Sequence, residues 1–222
     1  MMSRFTGSRL VSVALMLAFC WSALLAQDIP PTADTALKRL QEGNGRFVKD
    51  KLAAKDLSGK RRMELTKGQH PFATILSCAD SRVPPELIFD QGLGELFTIR
   101  VAGNITDPAI LGSIEYAVEH LKSPLVVVLG HESCGAVTAA LSGEELHGNI
   151  AKLIKEVHVG KDLPKDKTAA LAAGVKANAQ YQAGQLTQQS AILKDFAGSK
   201  RIRIVTGIYS LSTGEVSWLE AK

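Results

Sequence analysis

Two short stretches hold the residue types able to do chemistry. Cys78-Ala79-Asp80-Ser81-Arg82 follows the apolar run Ala73 to Ser77, and Gly130-His131-Glu132-Ser133-Cys134-Gly135 follows the run Leu125 to Leu129. Side chains alternate along extended backbone, so an extended exit from the first run predicts Cys78, Asp80 and Arg82 on one side. His131 is expected to end its strand and Cys134 to open a helix, where the positive end of the macrodipole favours a thiolate. Both stretches then lie at the carboxyl ends of parallel strands, the edge at which open α/β sheets place ligands.

Two thiolates and one imidazole form the three-ligand set of a catalytic zinc, with the fourth tetrahedral position left for water. The expectation is one Zn2+ per chain on Cys78, His131 and Cys134. His70, His120, His147 and His158 fall outside any ligand spacing. Zinc with two thiolates carries no net charge, so it acidifies its water less than an all-imidazole site does. Asp80 is placed to compensate, accepting a hydrogen bond from the bound hydroxide. The planar fork of Arg82 suits it to keep Asp80 ionised and off the metal. Released from that grip, Asp80 would itself become the fourth metal ligand. The bland alternative for Asp80-Ser81-Arg82 is a turn with a surface ion pair.

Other readings use the same residues. Two cysteines in an oxidising compartment invite a disulfide. A nucleophilic enzyme would use Cys134 or Cys78 with His131, and would be stopped by thiol alkylation but not by chelators. Gly92-Leu93-Gly94-Glu95-Leu96-Phe97 lacks the third glycine of a dinucleotide fingerprint and precedes a strand, which disposes of an alcohol-dehydrogenase-like reading.

The elements that must position these groups alternate in type. Strands are expected at 73–77, 96–101, 125–129 and 201–209, with a turn at Ser212-Thr213-Gly214 and a return strand at 215–219. Asp107 and Pro108 open a helix whose Ile110, Leu111, Ile114, Ala117, Val118 and Leu121 share one stripe. Further helices are expected from Cys134 to Gly143, over 148–158 and over 168–196. Residues 32–50 read as a helical arm carrying Leu37, Leu40 and Phe47 and loosened by Gly43 and Gly45. The fold class is α/β, a mostly parallel β-sheet flanked by helices.

Residues 1–26 read as an export signal: Arg4 and Arg9, an apolar stretch from Leu10 to Leu25, then Ala26 before Gln27-Asp28. A retained anchor and a lipid-modified Cys20 are the competing readings. Residues 27–222 are then one domain, exported to a periplasm or beyond. The 222 residues carry 26 Lys+Arg and 22 Asp+Glu, a net charge of +4. Removing Arg4 and Arg9, with no acid in that segment, leaves +2. So small a charge gives no case for nucleic acid or an anionic membrane as partner. A 45% hydrophobic and 22% charged composition excludes a disordered, collagen-like or disulfide-framework chain.

Cys-x-Asp-Ser-Arg followed some fifty residues on by His-x-x-Cys resembles the β-class carbonic anhydrases. The likeness extends through Gly68-Gln69, Val83-Pro84-Pro85, Gly94-Glu95-Leu96-Phe97, Ser113 to Val118 and Gly207 to Val216. Val101 departs from it, since the family more often has Asn there. The resemblance implies zinc on Cys78, His131 and Cys134, and Asp80 with Arg82 as an activating dyad. It implies a carbon dioxide pocket with Gln69, Phe97, Tyr116 and Gly135, of which Phe97 and Tyr116 come partly from a neighbouring subunit. It also implies a homodimer or homotetramer, with the 32–50 arm wrapping the partner. The activity implied is reversible hydration of carbon dioxide to bicarbonate and a proton by metal-generated hydroxide. Hydrolysis of carbonyl sulfide or carbon disulfide is the alternative at the same site. A non-catalytic zinc or bicarbonate binder would have no need of the Asp80–Arg82 dyad.

Overall fold

Strand β1 (Ala73–Ser77) is buried at all five positions and sits inside a sheet whose order is β2-β1-β3-β4-β5. Its neighbours are β2 (Leu96–Arg100), β3 (Leu125–His131) and, beyond β3, β4 (Arg203–Tyr209). These four strands run parallel, and β5 (Val216–Leu219) returns antiparallel on β4. Residues 31–219 are described by this computed structural model; the export signal expected at 1–26 lies outside them.

Helices cover both faces because the parallel strands are apolar on both. On one face Ile75, Val127 and Leu129 pack with Ala36 and Leu40 of α1 (Ala33–Val48) and with Ile88 of α3 (Pro85–Ile88). On the other, Leu76, Val126 and Val128 meet Ile114 of α4 (Pro108–Glu119), Leu186 of α7 (Lys167–Gln189) and Leu193 of α8 (Ala191–Gly198). Three further α-helices, α2 (Gly59–Leu65), α5 (Gly135–Ser142) and α6 (Gly148–Lys155), and the 3-10 turn Ala102–Asn104 complete the described elements.

The termini follow from local chemistry. Thr32 accepts a hydrogen bond from Thr35 N to start α1, and Asp107 accepts one from Ile110 N, with Pro108 next, to start α4. The helix expected over 168–196 is two. Ser190 is extended (φ −118°, ψ 115°), accepts from Leu193 N and donates to Glu115 Oε1 at 2.5 Å, so it caps a new helix instead of continuing the old one. Helix α1 docks on its own sheet through Ala36, Leu40, Gly43 and Asn44. Gly43 does not loosen that helix. It is the point of closest approach, where an added Cβ would stand 1.9 Å from the Phe89 carbonyl oxygen.

The strand order places a topological switch between β1 and β3. The chain leaves β1 for β2 on one side, then crosses back to β3 on the other. Open α/β sheets bind ligands in the crevice outside such a point. The ends of these two strands carry Cys78 and His131.

Candidate metal centre

Strand β1 hands directly into Cys78, and β3 ends on His131, which pairs in register with Tyr209. Ser133 follows in the left-handed region (φ 52°), a turn that brings Cys134 back to cap α5. Cys78 Sγ, Cys134 Sγ and a ring nitrogen of His131 all lie within 4.8 Å of one another, and all three residues are buried. Both thiols are free, so the disulfide reading fails.

His131 Nδ1 lies 2.8 Å from the Glu132 carbonyl oxygen, which can only accept. Nδ1 therefore carries the proton, and the lone pair falls on Nε2. That atom is buried and has no hydrogen-bond partner among the described residues. A buried nitrogen without a partner is unfavourable unless something else binds it. Donors at about 2.3 Å (sulfur) and about 2.0–2.1 Å (nitrogen) around one tetrahedral ion stand roughly 3.5–3.8 Å apart. The observed cluster has room for one such ion.

The sulfurs share a proton. The Cys134 thiol donates to Cys78, pulling the Cys78 pKa down to about 4 against the opposing effect of burial, with the amides of Asp80 and Gly103 assisting. Its own pKa is pushed up by that same bond and by burial, while the Ala136 and Val137 amides at the start of α5 oppose the rise. Gly103 N, in the 3-10 turn Ala102–Asn104 that follows β2, donates to Cys78 Sγ at 3.4 Å.

Asp80 and Arg82 meet, although not by alternation along extended backbone. The chain turns: Val83 N donates to Asp80 O at 3.0 Å and Arg82 N to Asp80 Oδ1 at 2.9 Å. Arg82 Nε then reaches Oδ1 at 2.9 Å and Nη2 reaches Oδ2 at 2.7 Å. The Arg82 guanidinium holds the Asp80 carboxyl well below the usual carboxylate range, more than offsetting partial burial. Asp80 Oδ2 stands 4.0 Å from His131 Nε2. The carboxylate thus borders the cluster without belonging to it, and Cys78, His131 and Cys134 alone converge as ligands.

The carbonic anhydrase family model matches residues 73–216, well over half the chain and the whole span from β1 to the start of β5. The chain belongs to the β-carbonic anhydrase family. A carbonic anhydrase of Mycolicibacterium smegmatis is 49% identical over 126 residues, which are 55% of this chain and 61% of that protein. The chain spans only half to three fifths of the length of the curated relatives it matches first. Among solved structures, a β-carbonic anhydrase of Aspergillus fumigatus superposes with a TM-score of 0.66 at 25% identity, covering 94% of this chain and 90% of that one. A tetrameric β-carbonic anhydrase of Sordaria macrospora shares the fold, with a TM-score of 0.64 at 20% identity over 95% and 96% of the two chains.

Gln69, Phe97, Tyr116 and Gly135 are the residues that the resemblance assigns to a carbon dioxide pocket. Gly135 is the exposed first residue of α5, adjacent to Cys134. Gln69 is exposed at the amino end of β1, the far end from Cys78. Phe97 pairs in register with Thr74, four residues and about 13 Å of strand before Cys78. Its ring lies 6.3 Å from that of Tyr116, which is half-exposed on α4. This chain by itself does not bring Gln69, Phe97 and Tyr116 to the Cys–His cluster.

Arg100 and Glu132 are positioning residues that their types do not announce. Arg100, the last residue of β2, donates from Nε to Cys78 O at 3.1 Å and from Nη2 to Asp80 O at 2.5 Å. Glu132 accepts from Ser210 Oγ at 2.9 Å and Leu211 N at 3.0 Å, anchoring the turn whose carbonyl orients His131. Arg100 acts on backbone carbonyls and Glu132 on a backbone amide and a hydroxyl, and of the two only Glu132 adjoins a cluster residue in sequence.

Proposed function

We propose that this chain is a zinc-dependent carbonic anhydrase, interconverting carbon dioxide with bicarbonate and a proton. The observation that carries the reading is the buried Cys78–His131–Cys134 cluster with an ionised carboxylate 4.0 Å from its unpartnered nitrogen. Borderline-soft Zn2+ suits two sulfurs and an imidazole, and as a bound Lewis acid it makes water acidic enough to supply a nucleophile near neutral pH.

The chain's own residues do the rest. Glu132 O keeps the proton on His131 Nδ1 and so leaves Nε2 to ligate. Asp80, kept anionic by Arg82, accepts a proton in a hydrogen bond but cannot give one, so it orients an O–H donor beside the cluster. Arg82 also reaches Ser133 O at 3.5 Å, tying the two ligand-bearing loops together. Burial of the ligand atoms limits water at the cluster.

The substrate pocket is completed, in this reading, by a second copy contributing Phe97 and Tyr116, in a homodimer or a tetramer of dimers. Leu52, Leu57, Met63, Leu87, Leu93 and Tyr116 are large and exposed in one chain, which supports association. Export of the domain after removal of 1–26 belongs to the same proposal and rests on the basic-then-apolar pattern of that segment.

The test is stopped-flow hydration of carbon dioxide with metal content measured before and after chelation. The expected result is one zinc per chain, activity lost with the metal and restored by adding it back. Activity indifferent to chelation but destroyed by thiol alkylation would replace this reading with a cysteine nucleophile. Turnover of carbonyl sulfide or carbon disulfide far above that of carbon dioxide would change the substrate.

A further inference from the structure

We infer that Asn178 is a positioning residue for the metal ligand Cys78, acting through the peptide groups on either side of Gly103. The inference rests on the zinc reading above. Asn178 lies on α7, one turn after Val175, and is 1% exposed. Val175 belongs to the apolar cluster that encloses Cys78 and Cys134. An aliphatic side chain would serve that cluster as well by volume, so the buried amide calls for an account of its bonds.

All its polar atoms are used. Nδ2 donates to Gly103 O at 2.7 Å, while Oδ1 accepts from His158 N at 3.0 Å and Gln182 Nε2 at 3.3 Å. Gln182, one turn on and also 1% exposed, accepts from Thr106 N at 2.9 Å and Thr106 Oγ1 at 2.8 Å, and donates to Glu156 O at 2.7 Å. Helix α7 therefore grips the 103–106 segment at two points. The grip nearer the metal centre is Asn178 on Gly103.

Gly103 transmits it. Its carbonyl is held by Asn178, and its own N–H points at Cys78 Sγ, 3.4 Å away. Its φ of +72° lies in the left-handed region, and an added Cβ would meet Ala136 Cβ and Val157 Cγ2 at 3.1 Å each. Glycine is thus needed for the turn, yet glycine is the residue least able to hold one conformation by itself. Fixing the carbonyl from outside keeps the N–H aimed at sulfur. An N–H bond to a thiolate withdraws charge from it, which leaves a thiolate-ligated ion a better acid. Outer partners of this kind set ligand orientation and donor strength, and their loss typically changes metal affinity or activity 10–100-fold.

The test uses the full chain loaded with cobalt or zinc. Asn178→Ala is expected to move the thiolate-to-cobalt charge-transfer band to longer wavelength and to weaken zinc retention against a chelator by about tenfold. Asn178→Asp, which keeps the acceptor but sets an oxygen against Gly103 O, should do the same. Thr106→Val removes a hydroxyl from the same network two hydrogen bonds beyond Asn178. It is expected to lower thermal stability and leave the band where it was. A band unmoved in both Asn178 variants, or moved equally in Thr106→Val, reduces Asn178 to core packing and overturns the inference. Should the Asn178 variants not fold, the wild-type chain loaded with cadmium-113 decides. Scalar coupling between the metal and the Gly103 amide is expected, and its absence is refuting. Failure of the wild-type chain to bind cobalt or zinc at all would refute the metal reading itself.

Discussion

Oδ2 of Asp80 stands 4.0 Å from Nε2 of His131, and that buried nitrogen has no hydrogen-bond partner among the described residues. The same carboxylate accepts two side-chain bonds and one backbone bond from Arg82. Asp80 is close enough to share a hydrogen-bonded group with the cluster, and it is held so that neither oxygen is free to swing inward.

That geometry makes the charge and the grip separable. In Asp80→Asn the side chain keeps its shape but presents a donor where an acceptor is required. Zinc stoichiometry should be retained while kcat for hydration falls about 10²–10³-fold, the range for losing one preorganised partner. Arg82→Lys supplies charge without the fork, and a smaller loss of about tenfold is expected. Metal analysis beside stopped-flow rates checks both, and full activity in Asp80→Asn would remove the dyad from the reaction.

The depressed Asp80 pKa fixes what its titration contributes with pH. Its folded value lies below the ordinary value of 3.8, so the stabilisation it gives is complete above that value and is lost as pH falls through the folded one. Between pH 5 and 9 Asp80 stays ionised. Any activity limb in that window therefore belongs to another group. Carboxyl carbon-13 titration of Asp80 should show no inflection above pH 5, and in Arg82→Gln the inflection should move upward toward about 3.9.

Arg100 offers a test of how much the loop needs support. Its guanidinium spans the carbonyls of Cys78 and Asp80, fixing the ligand and the carboxylate in one frame. Arg100→Gln cannot span both. The expected outcome is weaker zinc retention together with a fall in kcat of roughly tenfold, while kcat/KM and kcat drop in parallel because nothing in substrate capture is touched. A rise in KM alone would instead make Arg100 a substrate residue.

The sequence makes some of this legible and hides the rest for identifiable reasons. Cys78, His131 and Cys134 stand out because few residue types ligate zinc and because each adjoins a run apolar enough to be a buried strand. Asp80 and Arg82 are legible as a pair although the turn that joins them is not; alternation predicts the right neighbours by the wrong path. Arg100 and Asn178 are hidden because they donate to carbonyl oxygens, and Glu132 because it accepts from a distant amide and hydroxyl; backbone partners leave no trace in residue type. The break at Ser190 is hidden because an alanine- and glutamine-rich stretch favours helix on both sides of it, and only the cap to Leu193 N and the bond to Glu115 decide. Gln69, Phe97 and Tyr116 lie away from the cluster in one chain, so the pocket expected of them rests on the resemblance and not on their spacing.

Gly43 and Gly45 look alike in sequence, two glycines in one helix, yet substitution should affect them with opposite sign. A Cβ on Gly43 would stand 1.9 Å from Phe89 O and 2.8 Å from Phe89 C, backbone atoms that cannot rotate away. A Cβ on Gly45 meets nothing within 4 Å. Gly43→Ala should force α1 off the sheet and strain the bonds of its neighbour Asn44, which donates to Gly214 O at 2.8 Å and accepts from Val216 N at 2.9 Å. A destabilisation of about 3 kcal/mol is expected, at the upper end for overpacking. Gly45→Ala gains helix propensity and should stabilise by up to about 1 kcal/mol. At about 2–4 °C per kcal/mol for a chain of this size, thermal denaturation separates the two. A Gly43→Ala protein as stable as Gly45→Ala would mean that α1 does not dock where the structure places it.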